Sequence, residues 1–152
     1  GNVQMASGYQ SILYLGDLED YRLNWYKSFY IIKYTSDNSE RFFPKMPMIR
    51  LSEMYLIAAE GWMEDDPEHA AELLQTLKQA RTKSIVNKQT VTEEMILLEM
   101  RKEFVGEGQL FYVYKRLNHD IIGNTSEDGV KASNSVFVLP LPEEEIEYGY
   151  RN

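Results

Sequence analysis

The spacing of apolar positions changes near residue 50. Upstream, YRLNWYKSFYIIKY (Tyr21 to Tyr34) is dense in aromatic and β-branched residues, which suit strands. The aromatics fall on both parities, so residues 1–48 read as non-helical, with one or two irregular extended segments. Ser36 to Glu40 (SDNSE) is turn chemistry, and Pro44 and Pro47 keep FFPKMP out of a helix interior.

From Leu51 the pattern takes a helical period. Leu51, Met54, Tyr55, Ala58 and Trp62 form one apolar stripe, predicting a helix that faces the core through them and stops near Asp65. Asp66-Pro67-Glu68 is a helix start, with Asp as N-cap and Pro in the first turn. The second helix turns Ala70, Leu73, Leu74, Leu77 and Ala80 inward and ends near Lys83, with Lys78, Arg81 and Lys83 at its negative end. Thr90-Val91-Thr92-Glu93 fits a capping box opening a third helix, whose inner face is Leu97, Met100 and Phe104. Gly106-Glu107-Gly108 interrupts the run, because each glycine costs roughly 1 kcal/mol inside a helix. A fourth helix carries Leu110, Phe111, Tyr114 and Leu117 inward.

Asn118 to Ser135 reads as a polar loop, Val136 to Pro142 (VFVLPLP) as a short extended piece, and EEEIEYGYRN as an acidic tail. The fold class is therefore mainly α: paired antiparallel helices with short connections, and irregular extended segments at the N-terminus and near the C-terminus. Residues 1–152 read as a single domain or fragment, divided into 1–48, a helical part at 49–117, and 118–152. The first and third helices start about forty residues apart, near the period of helical repeats.

The 152 residues suffice for one sizeable core. Net charge is −8, which argues against nucleic-acid binding, since that affinity comes from Lys and Arg neutralising phosphates. With no cysteine, a disulfide scaffold, a thiol nucleophile and Cys-ligated zinc are excluded. No apolar run reaches the roughly 18 residues of a membrane span.

Catalytic signatures are missing from the sequence. His69 and His119 lack metal-ligand spacing, and no nucleophile elbow, phosphate loop or dinucleotide fingerprint occurs. Glu64-Asp65-Asp66 reads either as a calcium site or as a helix end plus N-cap, the second being favoured. Asp120 to Gly129 lacks the order of an EF-hand loop. Paired carboxylates for glycoside hydrolysis stay open, because their separation in space decides the matter. No cofactor or metal is expected. Trp25 and Tyr26 are the candidate glycan-binding residues, as rings that stack on a sugar face; the alternative is that they pack on the helical core. Trp62, on the apolar stripe, is expected in the core.

Three stretches in order carry a family resemblance. In MPMIRLSEMYLIAAE (Met46 to Glu60), Ile49, Arg50, Glu53, Tyr55, Leu56, Ile57, Ala59 and Glu60 fit an I-R-x-x-E-x-Y-L-I-x-A-E helix. Around the glycines, Glu99, Arg101, Glu103, Gly106, Glu107, Gly108, Gln109, Phe111, Lys115 and Arg116 fit E-R-R-x-E-L-x-G-E-G-Q-R-F-x-D-L-K-R. In VLPLPEEEI, Pro140, Pro142, Glu145 and Ile146 fit P-I-P-x-x-E-I. Together these resemble the C-terminal part of the SusD/RagB family, surface glycan-binding lipoproteins of outer-membrane nutrient uptake. Val113 stands where the family usually has Asp, Met100 where it has Arg, and Lys78 where L-N-x-V-R has Asn. Upstream the match is loose, through Asp20-x-Arg22.

The resemblance implies helix pairs resembling tetratricopeptide repeats, with the glycine corner folding the fourth helix back against the third. Arg101, Glu103, Glu107 and Arg116 lie in or beside an apolar stripe, where charges persist only when paired. With Gly106 and Gly108 they are expected to hold that corner rather than touch ligand. The implied function is non-catalytic oligosaccharide or polysaccharide capture at the cell surface, with delivery to a SusC-like TonB-dependent outer-membrane transporter. The alternative is a helical interaction module that docks the transporter without binding sugar. Family members are longer and begin with a lipoprotein signal and lipidated Cys, so the resemblance implies a C-terminal fragment or an unusually short member.

Overall fold

The computed structural model describes residues 13–14, 17–27, 30–33, 48–123 and 129–149. The chain divides into two compact units, Gly1–Leu110 and Phe111–Asn152. The turn expected at 36–40 and the prolines at 44 and 47 lie outside the described residues, as does Asn124 of the polar loop.

In the first unit, Tyr21–Trp25 is a 3-10 helix rather than the extended chain expected there. The Asp20 carboxylate caps it by accepting from the Arg22 amide, which satisfies one free N–H and starts the turn. Two short antiparallel strands follow, β1 (Tyr26–Lys27) and β2 (Tyr30–Ile31), pairing Tyr26 with Ile31 and Lys27 with Tyr30. Tyr26 joins Leu13, Tyr14 and Val105 in a buried cluster, with Leu23, Trp25 and Ile31 packed against it. The segment is tied to the helices by backbone as well: Asp20 bridges Thr82, and the Tyr21 amide donates to the Arg81 carbonyl at 2.7 Å.

Three helices form the rest: α1 (Leu51–Trp62), α2 (Pro67–Gln79) and α3 (Glu93–Glu103). The α1–α2 pair is a tight hairpin, and α1 also packs on α3. Asp66 caps α2 by accepting from the His69 amide at 3.0 Å, with Pro67 at the first position. That geometry accounts for Glu64-Asp65-Asp66 as a helix end plus N-cap.

The inward face of α1 differs from expectation. Ser52, Leu56 and Ala59 are buried, whereas Leu51 is 73% exposed and Trp62 46% exposed. The segment is apolar nearly all round, so periodicity offers two overlapping stripes. The narrower one wins because Ser52 and Ala59 allow close approach. Helix α2 buries Ala70, Ala71, Leu74 and Leu77 but leaves Ala80 exposed, and it stops at Gln79 rather than near Lys83. Side chains hold the chain beyond it: Gln79 bonds the Ser84 carbonyl and the Val86 amide, and Gln75 bonds the Val86 carbonyl. Helix α3 starts at Glu93 with Thr92 as N-cap, not Thr90. Leu97, Met100 and Phe104 are buried as the spacing requires. It ends before Gly106 and Gly108, both at φ +77°, a left-handed conformation that side chains with a Cβ resist.

Helix α4 (Leu110–Leu117), all but its first residue in the second unit, buries Tyr114. Asn118 ends it at φ 48°, and the His119 amide donates to the Tyr114 carbonyl at 3.0 Å. Ile121 and Val130 pair in an antiparallel bridge. Val136 and Phe137, expected in an extended piece, belong to a short helix, α5 (Asn134–Phe137), started by the Ser133 carbonyl; Phe137 packs edge-on to Phe111. Extended backbone begins at Val138, where the prolines take over. The acidic tail supplies α6 (Glu143–Tyr148), with Glu143 at the positive end of the helix dipole. Among the described residues no helix is long and apolar enough to cross a membrane. The chain is thus mainly helical with few strand residues.

Thr92→Ala removes the hydroxyl that caps α3 and is expected to cost about 1 kcal/mol. Thr90→Ala should cost a few tenths at most. Urea unfolding of the two variants measures the difference, and an equal loss in both would contradict the assigned cap.

Candidate functional site

The charged residues of the first unit converge on the C-terminal end of α3. Glu99 and Glu103 lie four residues apart, hence on one face of the helix. Arg22 reaches them from the 3-10 turn. Its Nε and Nη2 hold the Asp20 carboxylate at 2.9 and 2.6 Å, and Nη2 and Nη1 reach Glu99 at 2.9 Å and Glu103 at 3.3 Å. Arg50, at the N-cap of α1, meets Glu103 Oε1 at 2.9 Å. Arg81, just beyond α2, meets Glu103 through Nη2 at 2.8 Å and Nε at 3.1 Å. Ser52 adds a hydroxyl. Glu103, 0% exposed, is therefore shared by three guanidiniums from three separate segments.

A second layer fixes the glycine corner. Glu107 pairs with Arg50 at 2.9 Å and with Lys33, and accepts from Gln109 at 3.1 Å. Arg50 Nη2 and Lys33 Nζ also donate to the Glu103 carbonyl. That carbonyl is one of the acceptors a helix end leaves without an internal partner, and it sits at the negative pole of α3. Two cations there satisfy both needs. Lys33 lies 4.0 Å from the Trp25 ring centroid, and Lys102 pairs with Glu99 at 3.2 Å.

Burial opposes the charges of Glu103, Lys33 and Arg22. It pushes the Glu103 carboxyl up, but the bonds from Arg81 and Ser52 and the charges of Arg81 and Arg22 outweigh it and hold the group down to about 2. Burial pulls the Lys33 ammonium down to about 8, against the opposing pull of Glu107. Burial would lower Arg22 too, but Asp20 and Glu99 raise it above its usual value. Tyr14, buried against Tyr26, is raised and stays neutral.

The structure gathers some of the residues named from sequence and separates others. Glu103 and Glu107 are in the network, and Gly106 and Gly108 form the bend beside it. Arg101 is buried on α3. Arg116, expected in or beside the apolar stripe, is an exposed residue of α4 in the second unit. Tyr26 is 9% exposed, its ring edge-on to Tyr14 at 6.0 Å, so it offers a sugar no open face. Trp25 is half-buried beneath Lys33. The pair thus takes the core-packing alternative at Tyr26. Lys33 and Lys102 carried no sequence signal. Arg50, Glu99, Arg81 at the end of the L-N-x-V-R match and the Asp20-x-Arg22 pair stood in matched motifs, yet nothing in the sequence says that they meet. His69 sits against Trp62 on the surface, and His119 bonds the Asp120 carbonyl. Among the described residues no group of His, Asp or Glu is placed to hold a metal.

Beside the network a cleft of about 400 Å³ opens between the start of α1 and the end of α2. Leu51, Leu77 and Ala80 line it with apolar surface, and Arg50, Arg81 and Tyr55 supply polar groups.

The SusD family model matches residues 7–147. The chain belongs to the SusD family. A crystal structure of a SusD superfamily protein from Bacteroides thetaiotaomicron VPI-5482 is similar at 28% identity with a TM-score of 0.72. The match covers 91% of this chain and 37% of that protein, so the chain spans well under half of the relative's length. No curated protein sequence matches. Most of the SusD-family motif residues at 50 and 99–109 lie in or next to the ion network.

Two predictions follow from this geometry. Gly106→Ala is expected to destabilise more than Gly108→Ala. Each takes the left-handed penalty of about 1–2 kcal/mol, but at Gly106 the added Cβ also lies 3.2 Å from Ile31 Cγ2, whereas at Gly108 it meets open space. Chemical denaturation of both variants reads the order, and the reverse order would refute the account of the corner. For Glu103 the folded pKa lies below the unfolded value of 4.5, so the carboxylate stabilises the fold above that value. This contribution, about 3 kcal/mol, is lost as pH falls from 4.5 through about 2. Glu103→Gln leaves three buried or half-buried cations short of their partner and should cost about 3–5 kcal/mol at pH 7. Melting temperature against pH should then be flatter in the variant across that acid window; an unchanged slope would show that other carboxylates dominate.

Proposed function

We propose that this chain is the C-terminal region of a non-catalytic surface glycan-binding protein of a SusC/SusD-like uptake system. It captures oligosaccharide and passes it to a SusC-like TonB-dependent transporter, anchored in the full protein as an outer-membrane lipoprotein. The observation that carries this is SusD-family membership across residues 7–147. Binding rests on stacking and hydrogen bonding, without bond cleavage.

A second reading, in which this region docks the transporter and the sugar site lies in other parts of the protein, is favoured by one observation. Helix α1 exposes Leu51, Met54, Ile57 and Trp62, and Met48 and Ile49 just before it are exposed as well. Exposed apolar side chains gathered on one segment suit contact with another body.

Affinity gel electrophoresis against neutral and acidic polysaccharides separates the two, after circular dichroism has confirmed a helical fold. Retardation by one glycan class is the expected result. Retardation by none would overturn glycan binding for this chain and leave docking. Release of reducing sugar from any polysaccharide would overturn the non-catalytic assignment.

A further inference from the structure

The cleft beside the network falls in the ~300–1,000 Å³ range of small-molecule sites, at about 400 Å³. Its apolar part, Leu51, Leu77 and Ala80, suits the C–H face of a ring. Its polar part is one-sided. Arg50 and Arg81 line it, and among the described residues no carboxylate does. Arg81 gives Nε and Nη2 to Glu103, which leaves Nη1 of its five-donor fork. Among the described residues neither that Nη1 nor the Tyr55 hydroxyl has a hydrogen-bond partner.

Behind this wall three guanidiniums, those of Arg22, Arg50 and Arg81, meet on the Glu103 carboxylate. A chain of net charge −8 thus lines an open, half-apolar cleft with two arginines and, among the described residues, no carboxylate. Net charge sets long-range behaviour, but a cleft selects by the charges that line it.

We propose that this cleft binds a carboxylate-bearing sugar, a uronic acid residue of an acidic oligosaccharide. It rests on the glycan-binding reading above and names the sugar class. The guanidinium of Arg81 takes the carboxylate, Tyr55 takes a ring hydroxyl, and Leu51, Leu77 and Ala80 take the apolar face of the ring.

The test is an amide NMR titration of the whole chain with trigalacturonate and with its methyl ester, which keeps the rings and removes the charge. The acid is expected to bind at least about tenfold more tightly than the ester, to weaken as salt is added, and to shift the amides of Tyr55, Thr76 and Ala80. Ala80→Trp and Thr76→Trp each fill the cleft from an exposed position that contributes no side chain to the ion network, and each should abolish that binding with the helical spectrum intact. Equal affinity for acid and ester, shifts confined to other residues, or full binding by both filled variants would overturn the proposal. If neutral oligosaccharides bind and trigalacturonate does not, the proposal falls and the glycan-binding reading stands. If no glycan binds, both fall for this chain.

Discussion

The buried carboxylate of Glu103 is the constraint around which the first unit is arranged. It has no access to water, so its charge is tolerable only with dense compensation. Compensation comes from three guanidiniums that the sequence places far apart: Arg22 on the 3-10 turn, Arg50 before α1 and Arg81 after α2. Arg50 and Arg81 are positioned by element boundaries, and Arg22 by the first turn of the 3-10 helix. A boundary residue can turn its side chain inward while its backbone changes direction. The network therefore fixes where elements begin and end, and hydrophobic packing fills the space between. Replacement of such a cluster by apolar side chains is often neutral or stabilising, so specificity of arrangement is the better account of it than net stability.

Helix existence was legible in the sequence, and helix orientation less so. Asp66-Pro67 and the glycine pair state a start and a stop in local chemistry, and the structure follows both. The inner face of α3 was legible because apolar and charged positions separate cleanly there. For α1 they do not, since an apolar helix has no polar face to exclude, and contact with Glu103 through Ser52 decides the rotation. Glu107 could be seen as a charge in an apolar setting, but not its partners Lys33 and Arg50, which come from 74 and 57 residues away. Tyr26 misled for a related reason: an aromatic in an irregular segment looks exposed until distant Val105 covers it.

The residues that identify the family are largely those that hold helix ends together. Arg50, Glu99, Glu103, Gly106 and Glu107 form the network and its bend. Family membership is therefore well marked in this chain while ligand identity is not, because the shared residues encode a joint.

The order in which the chain is made adds a consequence. Arg22 leaves the ribosome before its partners Glu99 and Glu103, which follow 77 and 81 residues later. At a synthesis rate on the order of 5–20 residues per second, the turn at Tyr21–Trp25 waits several seconds for the helix that completes it. Until then the segment has only Asp20 to neutralise its guanidinium and no Val105 to cover its aromatic rings. The aromatics Trp25 and Tyr26 thus need shielding until Val105 has been made, and closure of the network waits on α3.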